Sequence, residues 1–308
     1  MISRRNIRVK VMQTLYTLEA QEQAVNPGES VKILQKHIDQ SRQLLVYLLY
    51  IITEVARYAE TDSLRRASKH LPSEQDRNVN VKLAGNEYLW KIIEDPSLKK
   101  AFHTDKPDLA DNKELIRRLY QELAVTEEYR KYINGTGREK KSEKEILEFI
   151  FTTLMLPGEA FESHIEDLFT NWDDDAEMIS QLLLNYLHKP QSFNFQEIVD
   201  KEKWDFARGL LETVIEKKEV LMDLIKPRLK NWDPERIATL DMILMQMGAT
   251  EFLYFETIPP KVTINEYIDL AKDYSTPQSG QFVNGILDNI HKDLVAEEKM
   301  HKINFKAP

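Results

Sequence analysis

The sequence holds 308 residues, 42% hydrophobic and 30% charged. That mix excludes a disordered chain and is long enough for one large or two ordinary domains. A net charge of −9 excludes a general polyanion binder, so any nucleic-acid contact must be local. With no cysteine, disulfides, thiol nucleophiles and Cys-ligated zinc are excluded together, and the composition suits a cytoplasmic protein.

In chain order, residues 3–22 read as a helix, with Ser3 as its cap and Ile7, Val11, Leu15 and Leu18 on one face. Four cations, Arg4, Arg5, Arg8 and Lys10, precede its first acid, Glu19. "NPGES" (26–30) ends it, and an apolar-rich helix over 30–60 buries Ile33, Ile38, Leu45, Leu48, Leu49 and Ile52. Its run "LLVYLLYII" (44–52) is far shorter than the roughly 20 residues of a membrane span. Residues 61–80 are polar and read as a loop. Helical pieces follow over 81–94, 111–133, 142–156, 158–169 and 175–188, separated by "EDPS" (94–97), "TDKPD", "NGTG", "LPG" and "NWDDD", and "HKPQSF" (188–193) marks a boundary. A strong helix over 196–230 bends near Pro227. Asp233 caps a helix over 234–252, with Pro234 at its first position. Thr263 and Glu266 have the spacing of a capping box for a helix over 264–273 that turns Ile264, Tyr267, Ile268 and Ala271 inward. Thr276 and Pro277 open the last helix, 277–298, whose apolar face is Val283, Ile286, Leu287, Ile290 and Leu294. The expected fold is all-α.

Little of this carries catalytic chemistry. The seven histidines are far apart and have no metal-ligand spacing, and no nucleophile elbow occurs. "GTGREKKS" (135–142) lacks the residue order of a phosphate loop and reads as a helix–loop–helix connection. "WDDDAE" (172–177) could hold a hard cation, but acids at a helix start are favoured by the macrodipole alone. "DMILMQMGA" (241–249) reads as methionine-filled core, and Gly248 and Gly285 as sites of close helix approach. The expectation is no enzyme, no metal and no cofactor.

The opening cations are the anomaly. They oppose the dipole of their own helix, and Arg4 and Arg8 repel across one turn. An anionic partner would explain them, and so would a solvated, frayed terminus. An Arg-rich, acid-free start also fits a mitochondrial presequence.

"RRNIRVKVMQTLY", "FARGLLETV", "WDPERIATLDMILMQMGATEF", "IPPKVTINEYIDLAKDYS" and "SGQFVNGILDNI" resemble the NusB transcription antitermination family, over residues 1–20 and 204–294. The resemblance makes the basic helix part of the family core and displaces the presequence reading. It implies a pair of helical bundles without enzymatic activity, in a long form with a large insertion after the first helix. The expected division is a basic helix (1–22), a helical insertion of unknown role (23–194) and a C-terminal domain (195–308). It implies a cytoplasmic factor that, with the small-subunit ribosomal protein NusE, holds single-stranded boxA-like RNA of ribosomal transcripts, joins the RNA polymerase antitermination complex and suppresses premature termination. The alternative is a non-catalytic adaptor that binds protein partners only. An RNA-modifying enzyme is a third possibility, disfavoured because the usual cysteine nucleophile is missing.

Residue by residue, the resemblance places Arg4, Arg5 and Arg8 on an exposed RNA-facing surface, with Gln278, Ser279 and Phe282 as a second RNA-facing region. Tyr16 and Asp241 match positions used against NusE. Phe282 has burial in the core as its alternative, and Tyr16 and Asp241 have ordinary helix surface. Asn284 and Gly285 are assigned to packing of the last helix. Two departures bear on RNA affinity: Gln246 stands where the family often has Arg, and Gln278 where an acid is common.

Overall fold

A computed structural model of the chain describes residues 2–21, 27–229 and 237–303. All regular structure among them is helical, as the absence of alternating apolar patterns requires. The chain divides into two compact units, one of residues 39–198 and one built from residues 2–38 and 199–308.

The middle unit contains most of α2 (Pro27–Ala67), then α3 (Glu74–Arg77), α4 (Glu87–Ile93), α5 (Pro96–Asp105), α6 (Lys113–Val125), α7 (Glu127–Asn134), α8 (Lys140–Phe149), α9 (Glu159–Leu168) and α10 (Trp172–His188). Leu45, Leu48, Leu49 and Ile52 of α2 are buried as expected, while Ile33, nearer its start, is only half-buried. The helix outruns its expected end at residue 60, because Asp62 is buried and pairs with Arg65 and Arg66. Asp95 and Pro96, expected to separate helices, instead start α5: the Asp95 carboxylate accepts from the backbone of Ser97, and Pro96 takes the first turn. The expected helix over 111–133 is broken at Thr126, whose hydroxyl caps α7 by accepting from Tyr129 N. The α8 helix continues as a π-helical turn, Ile150–Met155, and packs with it against α4, α6, α7 and α10. "GTGREKKS" does connect two helices, α7 and α8. The acids of "WDDDAE" lie in the first turn of α10, and Asp175 is buried, accepting from Ser41 Oγ at 2.7 Å. No cluster of metal-ligating groups occurs among the described residues.

The split unit consists of α1 (Arg4–Ala20), the start of α2, α11 (Lys201–Glu216), α12 (Lys218–Ile225), α13 (Thr239–Tyr254), α14 (Pro260–Tyr274) and α15 (Ser279–Ala296). Helix α13 is the hub, in contact with α1, α11, α12, α14 and α15 and buried on every side. Met245 and Met247 are core, as the composition of that stretch implies. Ser3 caps α1 through Asn6 N at 3.2 Å, and Ile7, Val11 and Leu15 are buried. The expected helix over 196–230 is interrupted at Lys217, between α11 and α12. Asp233 and Pro234 lie outside the described residues.

Two capping expectations are corrected. The capping box at Thr263 does not form, because α14 starts three residues earlier with Pro259 and Pro260 at its N-terminus. Thr263 is therefore inside the helix, buried, and its hydroxyl goes to a buried carboxylate of α13. Thr276 does not cap α15 either: the N-cap is Gln278, and Thr276 N donates to Ser279 Oγ. The apolar face of α15 is buried as read, from Val283 to Leu294.

Candidate nucleic-acid interface

The three α1 arginines find carboxylates on three other helices of the split unit. Arg4 meets Glu202 of α11 at 2.5 Å. Arg5 meets Asp273 at 2.9 Å, Asp269 at 3.6 Å and Glu266 at 3.9 Å, all on α14. Arg8 bonds Glu251 of α13 through Nε (2.7 Å) and Nη2 (3.2 Å) and lies 3.4 Å from Glu266. Arg4 and Arg8 also stand over the Phe206 ring at 5.6 and 5.4 Å. The helix start that repelled itself in sequence is neutralised by tertiary structure.

Burial separates the three. The side chains of Arg4 and Arg5 are 40% and 37% exposed, but Arg8 is 3% exposed. The expectation that Arg8 lies on an exposed face is therefore corrected. One turn on from Arg8 are Val11 and Met12, and two turns on is Leu15, so it sits on the buried stripe of α1, where only a charge partner allows it to remain. Glu251 is that partner, fully buried and also accepting from Thr263 Oγ1 (2.9 Å) and Tyr267 Oη (2.8 Å). Burial disfavours the Arg8 charge, but the hydrogen bond and field of Glu251 outweigh it and hold the guanidinium above its ordinary range. Tyr267 is held well above the ordinary phenol range, by burial first and by the charge of Glu251 second.

The second region lies at the same end of the unit. Asp273, the nearest partner of Arg5, is five residues before Gln278. Gln278 is exposed and Phe282 half-buried, but Ser279 is 1% exposed. Its hydroxyl lies 2.7 Å from Asp241 Oδ2 and accepts from Thr276 N. Asp241 is 6% exposed, so neither of its expected surface roles matches its placement; its carboxylate ties the start of α13 to the start of α15. Its second oxygen, Oδ1, is buried without a hydrogen-bond partner among the described residues. Tyr16 does lie on the surface, 51% exposed. Asn284 and Gly285 do not pack α15: both are exposed, and a Cβ on Gly285 would meet nothing within 4 Å. Gly248 does mark close approach, since its Cβ would lie 2.7 Å from Leu287 Cδ2.

An open groove of about 720 Å³ runs beside α12 and α13. Its walls include Glu19, Lys218, Met222, Met242, Ile243 and Gln246, with Lys218 ion-paired to Glu19. Gln246 is buried there, its amide 3.2 Å from Met222 Sδ.

Sequence reading missed Glu202, Glu251, Asp269 and Asp273. For α14 a signal existed: Glu266, Asp269 and Asp273 repeat at three and four residues, an acidic stripe on one helix face. For Glu251 no local signal exists, because its partner is 243 residues away.

A model of the NusB family matches residues 159–292, a stretch that begins at α9 and leaves α1 outside. The transcription antitermination protein NusB of Salinibacter ruber is 42% identical over 103 residues, which are 33% of this chain and 64% of the relative. That of Methylacidiphilum infernorum is 41% identical over 101 residues, 33% of this chain and 70% of the relative. That of Oceanobacillus iheyensis is 40% identical over 96 residues, 31% and 76% respectively. No solved structure matches.

Proposed function

Because the chain belongs to the NusB family, we propose that it is a transcription antitermination factor that acts by binding RNA. In this reading it pairs with NusE, and the two hold boxA-like single-stranded RNA of a ribosomal transcript within the RNA polymerase antitermination complex. The role is non-catalytic and cytoplasmic. No helix among the described residues is long and apolar enough to cross a membrane.

The observation that carries the reading is that Arg4 and Arg5 are reachable from solvent at the start of α1, with Arg5 paired to Asp273, five residues before the exposed Gln278. Guanidinium groups pair with phosphate oxygens in a fixed fork, and Gln278 adds an amide able to read a base edge. Arg8 acts beneath them as a positioning residue, anchoring α1 to α13 and α14. Tyr16 is assigned to the NusE contact. Asp241 and Ser279 hold the starts of α13 and α15 together under that surface. Phe282, half-buried, is assigned to RNA from its exposed edge.

RNA titration across a salt series, with and without NusE, tests this. Two phosphate contacts predict a log–log slope near −1.4, at about 0.7 per single-strand phosphate. Arg4→Ala with Arg5→Ala should weaken binding and flatten that slope. Equal affinity and slope in the double variant would remove the site assignment. The ion pairing of Arg4, Arg5 and Arg8 within the unit favours a second reading, an adaptor that binds NusE and no RNA. NusE capture without affinity for boxA-like RNA would select it.

A further inference from the structure

Every α1 arginine that faces solvent is already held by an acid, and the acids are themselves accessible: Glu202 is 77% exposed, Asp273 55% and Asp269 50%. Asp269 is shared with Lys272 at 3.7 Å. Resting on the RNA-binding reading above, we propose that Glu202, Asp269 and Asp273 are internal competitors for the phosphate backbone, which set how much further contact an RNA must make to be held.

The argument is one of exchange. A phosphate arriving at Arg5 does not meet a bare cation, because it must displace the Asp273 carboxylate at 2.9 Å and approach Asp269 at 3.6 Å. The donors satisfied are the same before and after, so the phosphate gains only the difference between two anions. The displaced carboxylates remain within a Debye length of the RNA and repel it. Backbone contacts are the sequence-blind part of RNA binding, and they are what this exchange discounts. An RNA that also engages the Gln278 region keeps its full gain there. The acids thus lower the affinity of every RNA by a similar factor, so an arbitrary RNA, held by backbone contacts alone, is bound too weakly to stay while one held also at the Gln278 region is retained. The pairs are suited to this task, because half-exposed ion pairs are weak and open readily. The buried Arg8–Glu251 pair is excluded from the exchange.

The test removes charge and keeps shape, with Asp269→Asn plus Asp273→Asn, and separately Glu202→Gln on α11. The probes are a boxA-like oligoribonucleotide and a scrambled one of equal length, titrated over a salt series. The scrambled RNA should bind about fivefold tighter to the α14 variant, with a slope steeper by about 0.7. The boxA-like RNA should gain by a similar factor. Adding Arg5→Ala should abolish the α14 gain, and Arg4→Ala the Glu202→Gln gain. Equal or weaker binding of scrambled RNA, with boxA-like RNA still bound by the wild type, overturns the competition and leaves the RNA-binding reading standing. A silent wild type with a binding α14 variant supports the competition and refutes RNA binding by the native chain. No binding by either protein overturns both. Equal melting curves confirm that the variants are folded.

Discussion

Replacing Glu251 with alanine tests how the split unit holds its first helix. The carboxylate is fully buried and accepts four hydrogen bonds, two from Arg8 and one each from Thr263 and Tyr267. Its loss leaves a 3%-exposed guanidinium without its main counter-charge, which costs about 3–5 kcal/mol. Two buried hydroxyls also lose an acceptor, about 1 kcal/mol each. Part of this is recovered because Arg8 remains 3.4 Å from Glu266, so the net expectation is about 4–6 kcal/mol. For a unit of this size that lowers the melting midpoint by about 10–20 °C. Hydrogen exchange in α1 and α14 reads the split unit apart from the middle one, and a urea series gives the free energy. Arg8→Met should cost about 3 kcal/mol, and Arg8→Met with Glu251→Met should cost at least 2 kcal/mol less than the two singles summed. Single costs below about 1 kcal/mol, or costs that add within about 0.5 kcal/mol, would refute the coupled buried pair.

Gly248→Ala should destabilise by about 1–2 kcal/mol, since its Cβ would meet both Leu287 methyls within 2.9 Å, while Gly285→Ala should stabilise by about 0.5–1 kcal/mol through helix propensity; urea midpoints compare the two. Lys302 donates to the carbonyl oxygens of Glu251 and Phe255 and is lowered by burial to about 8. The unfolded chain therefore binds more protons than the folded one between about pH 8 and the ordinary lysine value, so stability should rise across that window, and Lys302→Met should flatten the rise in unfolding curves taken from pH 7 to 10. Ser279→Ala should cost about 1–2 kcal/mol by removing the hydroxyl that donates to Asp241 Oδ2, and should loosen the start of α15 in hydrogen exchange.

Much of the split unit was legible in the sequence because its cues are local. Ser3 caps α1 as read, and the apolar spacing from Val283 to Leu294 fixes the buried face of α15. The misreadings occur where a local cue had a stronger competitor. Thr263 and Glu266 have capping-box spacing, but two prolines upstream define the helix start and a buried carboxylate claims the hydroxyl. Asp95–Pro96 reads as a break, yet the same pair is a cap followed by a favoured first residue. At the candidate interface, cationic residue type identified α1 but not which arginine faces water. The apolar neighbours of Arg8 at three, four and seven residues carried that information, and its partner was beyond any local window.

The same separation sets a schedule for synthesis. Arg8 is made 243 residues before Glu251, and α11 and α13, which cover the apolar stripe of α1, come after the whole middle unit. At about 5–20 residues per second, α1 waits roughly 10–50 s for its partner. During that time Ile7, Val11 and Leu15 have none of the α13 surface that later buries them, and Arg8 is an ordinary hydrated cation. The middle unit is complete in sequence at residue 198, 53 residues before Glu251, so it can fold while the split unit still lacks its central helix. A ribosome-associated chaperone that shields α1 over that interval would raise the yield of the split unit and leave the middle one unaffected.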